Sequence, residues 1–279
     1  MSGIALPRMR IPPPDGSRDQ RTEDPTNIWF VHLVGRLLLP AALRLRISAN
    51  SLSLAGLAFG IGAAFAYLRW PDWRLASLGF VLCIGWLIAD GMDGMVARAT
   101  GSTSATGRIL DGICDHAVFA FLYLFLAWSI DSYLLGCFAA VAHAFQSTLY
   151  ESERGRFHRR IRGDSGGGKP PPSRNPLVRL YDAVAGSLDR LAEPLDREIE
   201  SAEDKQAISE QYGRRAAPTL RMMALLSNNM RVILIYLACL AGDPRWFWWI
   251  ELVPLTIVAA LGIWRHRRIE AAMIRELGG

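Results

Sequence analysis

The sequence predicts an all-α integral membrane protein in which six transmembrane helices follow an amphipathic amino-terminal helix lying in the membrane interface. Three observations carry that reading. The 279-residue chain is 51% hydrophobic, and its apolar residues are gathered into long blocks. Ser51 to Leu68, Leu75 to Ala89, Ser132 to Tyr150 and Val232 to Ala241 contain no Asp, Glu, Lys or Arg. Arginines, finally, collect between alternate blocks and are sparse between the others.

Residues 1–26 are polar, with Pro12, Pro13 and Pro14 in a row, and are expected to be a disordered tail. They lack the apolar core of a removable signal peptide, so the first span is expected to stay in the mature protein. Over residues 27–46 the apolar Trp29, Leu33, Leu37 and Leu38 alternate with His32, Arg36 and Arg44. This pattern predicts an interfacial helix along the headgroups, broken or bent near Pro40. Spans are expected at 51–69, 74–97, 107–128, 132–150, 219–241 and 246–264. Residues 47–150 thus hold the first four and 217–268 the last two, and 269–279 form a short tail.

Between the fourth and fifth spans, 151–216 read as an insert outside the membrane. It opens on an arginine-rich segment and a flexible linker containing Gly166-Gly167-Gly168 and Pro170-Pro171-Pro172. Leu177, Tyr181, Val184, Leu188, Leu191 and Leu195 then recur at steps of four and three, an apolar seam that predicts a helix packed on its own domain and kinked at Pro194.

The arginine bias sets the orientation. Arg36, Arg44 and Arg46 precede the first span, Arg98 and Arg108 join the second to the third, and Arg154, Arg156, Arg159, Arg160 and Arg162 follow the fourth. Arg265, Arg267 and Arg268 follow the sixth, against only Arg69, Arg74 and Arg245 on the other side. Both termini are therefore expected in the cytoplasm. The formal charge of +5 follows from this topology and from attraction to anionic membrane lipids, so no nucleic-acid partner is invoked. Cys83, Cys114, Cys137 and Cys239 all fall inside spans without paired spacing and read as free thiols.

The chemistry concentrates in Asp90-Gly91-Met92-Asp93-Gly94-Met95-Val96-Ala97-Arg98 and the following Gly107, Asp111 and Asp115. At 3.6 residues per turn, Asp90, Asp93, Gly94 and Ala97 share one stripe of the second span, and Gly107, Asp111 and Asp115 share one stripe of the third. A short loop makes the two helices an antiparallel pair, so four carboxylates converge near its cytoplasmic end. An aspartate at mid-bilayer costs about 2.5–3.5 kcal/mol on insertion scales, and four like charges repel. Hard divalent cations bound by carboxylate oxygen relieve both penalties, and two of them balance four charges. Gly94 and Ala97 leave room beside the acids, and Arg98 can grip an anionic oxygen, which together suit a diphosphate.

Asp90, two residues, Asp93-Gly94, two residues, Ala97-Arg98, eight residues, Gly107, three residues, Asp111, three residues and Asp115 resembles the full signature of the CDP-alcohol phosphotransferase family. Ile47-Ser48-Ala49-Asn50-Ser51-Leu52-Ser53 also resembles the family's segment opening the first span, with Ala49 where proline is usual. The resemblance implies that Asp90, Asp93, Asp111 and Asp115 hold two Mg²⁺ or Mn²⁺ ions. Asp115 would also act as the base, and Asp93, Gly94, Ala97, Arg98 and Gly107 would bind the CDP moiety. It implies a phosphotransferase for substituted phosphate groups, acting in phospholipid biosynthesis as a homodimer. The favoured reaction moves the phosphatidyl group of CDP-diacylglycerol to a polar alcohol such as inositol, an inositol phosphate, glycerol phosphate or serine, releasing CMP. The alternative is a CDP-choline or CDP-ethanolamine donor with diacylglycerol as acceptor. The compact bundle suits bacterial-type members, which points to an inner membrane and a cytoplasmic active site.

Arg154, Arg156, Asn228 and Arg231 are further candidates for acceptor or anion contacts, since polar groups at or within spans are costly unless they line a cavity. His116 and His143 read as satisfied polar groups of the bundle. A divalent-cation transporter is the distant alternative, disfavoured because the far halves of the second and third spans are apolar. An inactive scaffolding role is disfavoured by the intact aspartate set.

Overall fold

The computed structural model describes residues 19, 21–162, 193–202 and 204–277, and within them it is all helix and turn, with no strand. A wide turn, Asn27–Val31, leads into α1 (His32–Arg44). The chain continues through α2 (Ala49–Tyr67), α3 (Trp73–Thr100), α4 (Ala105–Ser129) and α5 (Tyr133–Ile161). After the insert come α6 (Glu193–Ser201), α7 (Lys205–Met223), α8 (Asn228–Leu240), α9 (Arg245–Ile250) and α10 (Thr256–Leu277).

Short polar side chains start these helices where the sequence changes from loop to apolar run. Ser48 accepts a hydrogen bond from the Ser51 amide, Asp72 from Arg74, Ser104 from Gly107 and Ser227 from Met230, each meeting an amide that the first helical turn leaves open. Gly101 ends α3 in the left-handed region, φ 64°, where a side chain would be strained, and the chain reverses into α4.

α2 packs between α3 and α4, and the approach is close because α2 is rich in small residues. A Cβ on Gly60 would lie 2.3 Å from the Val118 side chain, so glycine is required there. Behind this contact Tyr67, Trp86, Phe119, Leu122, Phe247 and Trp248 fill the main core. Phe80 stacks on Tyr236 at 4.5 Å and so ties α3 to α8. Phe65, Trp128, Leu134, Phe138, Phe145 and Trp264 stay exposed, as a lipid-facing surface requires. A separate core of Phe157, Leu195, Ile199, Tyr212, Leu220 and Met273 joins the end of α5 to α6, α7 and α10.

Among the described residues, four helices are long and apolar enough to cross a membrane: 49–67, 73–100, 106–129 and 245–277. The pair 205–226 and 228–240, bent by 42°, makes a fifth if it counts as one span. The multi-pass, all-α expectation holds at this level, whereas a sixth span is not established. The helix that falls short is α5, whose apolar run is diluted by His143, Gln146, Ser147 and Thr148. The fifth expected span is two helices bent at Ser227, not one rod.

Boundaries shift elsewhere too. α1 runs through Pro40 unbroken to Arg44. α5 continues eleven residues past the expected end at 150, to Ile161, taking the start of the insert with it. The expected tail after 268 is the end of α10, with Met273 buried. The first residues of the expected disordered tail and most of the apolar seam from Leu177 to Leu191 lie outside the described residues. The tail's described end is packed: Thr22, Glu23 and Asp24 are buried.

Candidate active site

α3 and α4 bring the acids together as the helical spacing predicts. One oxygen from each of Asp90, Asp93 and Asp111 lies within 4.8 Å of the others. Asp93 is buried and accepts a hydrogen bond from Ser53 Oγ of α2 at 2.5 Å. Asp115, one turn beyond Asp111, stands outside this trio and accepts from Trp86 Nε1 at 3.0 Å. Neutral donors thus orient two carboxylates from the side, leaving the trio's oxygens facing one another. Three hard oxygen donors with no His or Cys among them fit a divalent cation such as Mg²⁺ or Mn²⁺.

The residues expected around CDP lie where α3 ends and α4 begins. A Cβ on Gly94 would sit 3.0 Å from Arg98 Nη1, so the absent side chain is what lets the guanidinium fold back along α3. Gly107 lies under Ser104 Oγ and near Asn50 Oδ1, at 3.1 and 3.6 Å from where its Cβ would be. That second contact brings the first-span segment, through Asn50, to the site. Gly94, Ala97, Arg98 and Gly107 do not line the chamber onto which Asp115 opens.

That chamber holds about 250 Å³ and is bordered by Asp90, Asp111 and Asp115 on one side. α5 contributes His143, Ser147, Glu151 and Arg154, which follow one another at steps of four, four and three, a single helical stripe. Ser227, Asn228 and Asn229 at the bend before α8 close a third side. Asn27 and His32 of the amino-terminal segment line it too, with Arg108, His116 and the apolar Val31, Leu87 and Phe119. The bend is held by that segment: Ser227 Oγ donates to Asp24 Oδ2 at 2.5 Å, and Asn229 Nδ2 donates to Thr26 Oγ1 and Asn27 Oδ1, both at 2.7 Å.

Of the four acceptor candidates, two reach the chamber. Arg154 borders it, paired with Glu151 at 2.9 Å and with Glu23 at 3.7 Å, and Asn228 borders it at the bend. Arg156 and Arg231 do not. Arg156 is buried against Glu153 at 3.0 Å. Arg231 is buried against Glu251 at 2.9 Å, donates to Gln146 Oε1 at 3.0 Å and bonds the Leu226 carbonyl. Both are neutralised within the bundle, which is the other way a buried arginine becomes tolerable. The sequence reading missed His116, His143, Ser147, Glu151 and Arg108 as chamber residues, although the stripe on α5 was visible as spacing.

Helices that cross a membrane, a carboxylate cluster suited to a divalent ion and a polar chamber beside it together define a membrane enzyme site. Residues 46–154, which contain all four aspartates, match the family model described as CDP-alcohol phosphatidyltransferase, and the chain carries a domain of that family. Over 112 residues the chain is 34% identical to the phosphatidylinositol phosphate synthase of Mycolicibacterium smegmatis. That match takes in 38% of this chain and 48% of the relative, so the chain spans about half the length of the curated protein it matches. No solved structure matches the chain.

Proposed function

We propose that the protein transfers the phosphatidyl group of CDP-diacylglycerol to a hydroxyl of a polar alcohol, releasing CMP. The observation that carries this reading is the trio Asp90, Asp93 and Asp111 set beside Asp115 at the edge of a polar chamber, inside the matched domain. Two bound Mg²⁺ or Mn²⁺ ions would polarise the diphosphate and offset charge on the leaving CMP. Asp90, Asp93 and Asp111 are the residues to hold them, with Asp115 as the fourth ligand expected from the signature. Asp115 takes the proton of the acceptor hydroxyl as its oxygen bonds the phosphorus of the phosphatidyl group. The bond from that phosphorus to the bridging oxygen breaks, and the electron pair leaves with CMP. Trp86 Nε1 fixes the Asp115 carboxylate for this step. Arg98, beside Gly94, is placed to meet the diphosphate.

A chamber walled by Arg108, Arg154, Glu151 and asparagines suits a polar acceptor better than diacylglycerol, which would need an apolar wall. The name of the mycobacterial relative makes an inositol phosphate the first acceptor to test. Six spans remain part of the proposal. α5, 29 residues long, turns Phe138, Val141 and Phe145 outward and buries His143 and Gln146, as a span beside a polar cavity would. The cytoplasmic site, the bacterial inner membrane and a homodimer complete the reading.

CMP release from CDP-diacylglycerol by the purified protein, with a panel of polar alcohols, tests it. Release is expected to stop in EDTA and return with Mg²⁺ or Mn²⁺. Asp115→Asn is expected to lower the rate by at least about a hundredfold while the protein stays folded, the usual minimum for loss of a general base. Full turnover in chelator overturns the metal assignment, and a variant retaining a tenth of the rate removes Asp115 as the base.

A further inference from the structure

Among the described residues that line the chamber, only His143 carries a buried side-chain nitrogen or oxygen without a hydrogen-bond partner. It is 95% buried, since only 5% of its surface is exposed, and Nδ1 is occluded with no hydrogen-bond partner. Its ring packs on Phe119 with centroids 4.1 Å apart and lies 5.7 Å from Tyr123. Yet it also borders the chamber that contains Asp115. A buried polar group left without a partner costs about 1–3 kcal/mol. Arg231, Glu251 and Gln146, close by in the same bundle, satisfy one another. The imidazole borders the chamber, so a group bound there lies within reach of the ring.

The position of His143 indicates which group. The chamber's occupant meets Asp115, the base of the proposed reaction, so it is the acceptor. Phe119 and Tyr123 make the surroundings of His143 apolar, where a charged group would be expensive to bury. Arg154 lies eleven residues further along α5, about 16 Å at 1.5 Å per residue, so an anionic group has its partner at the other end of the stripe. What remains for His143 is a neutral hydroxyl, which both donates and accepts as an imidazole does.

We propose that His143 selects a polyhydroxylated acceptor by hydrogen-bonding a second hydroxyl, one that does not react, and so orients the reacting hydroxyl toward Asp115. The proposal rests on the transferase reading given above and adds a specificity-determining residue to it. His143 is not required for the chemistry itself, and the donor does not touch it.

The test compares wild type, His143→Phe and His143→Gln with inositol phosphate and a series of its monodeoxy analogues, measuring kcat/KM by CMP release. Binding of the same compounds to the Asp115→Asn protein, with and without each His143 substitution, is measured by calorimetry. His143→Phe, which keeps ring volume, is expected to lose about tenfold in kcat/KM and in binding for the full polyol. For one analogue, the one lacking the hydroxyl that is read, wild type and His143→Phe become equal. His143→Gln, which keeps a donor and an acceptor, recovers part of the loss, and the KM for CDP-diacylglycerol stays unchanged. Equal losses for every analogue, a raised donor KM, or no loss at all overturn the proposal. If no compound elicits CMP release but binding still depends on His143, the transferase reading fails and the hydroxyl site stands. Neither release nor binding sinks both.

Discussion

Where α3 and α4 meet, Asp90, Asp93 and Asp111 turn oxygen toward oxygen, and Asp93 and Asp115 accept hydrogen bonds from the neutral donors Ser53 and Trp86. Among α5, α8, α10 and the turn Glu251–Leu255 that precedes α10, the carboxylates meet cations instead. Glu251 lies against Arg231 at 2.9 Å, Glu153 against Arg156, Arg267 and His266, and Glu270 against Arg160 and Arg267. Both regions bury charge inside one bundle. The second is neutralised by its own arginines, whereas the first sets three carboxylates against one another, a repulsion that a positive ligand relieves. This contrast, more than the number of acidic residues, marks the site.

The contrast is broken most directly by one substitution in each region. Asp111→Asn keeps the shape of the trio and removes one of three like charges. Activity is expected to fall by about a hundredfold or more while the thermal unfolding temperature in detergent stays level or rises. Arg231→Met strands the Glu251 carboxylate, and breaking a buried pair from one side costs about 3–5 kcal/mol. Its unfolding temperature is expected to drop sharply, and Glu251→Met added on top is expected to restore much of it. An Asp111→Asn protein as unstable as Arg231→Met would erase the distinction between site and scaffold.

That distinction was half legible in the sequence. The acids of α3 and α4 were readable because a helix repeats every 3.6 residues and a short loop must return the chain. Spacing alone therefore put Asp90, Asp93 and Asp111 together. Arg156 and Arg231 were misplaced because an arginine near or within a span is either a ligand group or half of an ion pair, and only the fold shows which. Arg231 finds Glu251 twenty residues away, across the turn into α9. The chamber wall was hidden for the same reason: Asn229 meets Thr26 across 203 residues, and nothing local announces that the end of a proline-rich tail packs beside the bend before α8. Gln146 and His143 both read as polar residues diluting an apolar helix, and their different surroundings appear only in three dimensions.

A smaller effect sharpens the picture of the self-neutralised region. Glu153 lies past the proposed end of the fourth span. Burial by itself would raise its carboxyl, but the hydrogen bond from His266 and the charges of Arg156 and Arg267 prevail and hold it down at about 2. A carboxylate whose value is lower in the folded protein than its ordinary 4.5 stabilises the fold above that ordinary value. The stabilisation is lost as pH falls from there through about 2. Between pH 5 and 3 the wild-type unfolding temperature is therefore expected to fall more steeply than that of Glu153→Gln, which starts lower. Parallel slopes would show that the cluster does not hold Glu153 ionised.

The smallest effect tests whether the neutral donors at the acid trio matter to the ion. Ser53 Oγ reaches Asp93 Oδ2 at 2.5 Å from the neighbouring helix. Loss of a hydrogen bond that orients a metal ligand typically lowers metal affinity by about 10–100-fold. The low end is expected here, because Asp93 keeps its place on α3 and only its rotation is freed. Ser53→Ala should raise the Mn²⁺ concentration for half-maximal CMP release about tenfold, with the rate at saturating Mn²⁺ little changed. Mn²⁺ binding followed by electron paramagnetic resonance, without substrate, should weaken by the same factor. A residue that merely filled space between α2 and α3 would instead change the unfolding temperature and leave the Mn²⁺ titration where it was. That result would confine the electrostatics of the site to α3 and α4 and remove α2 from it.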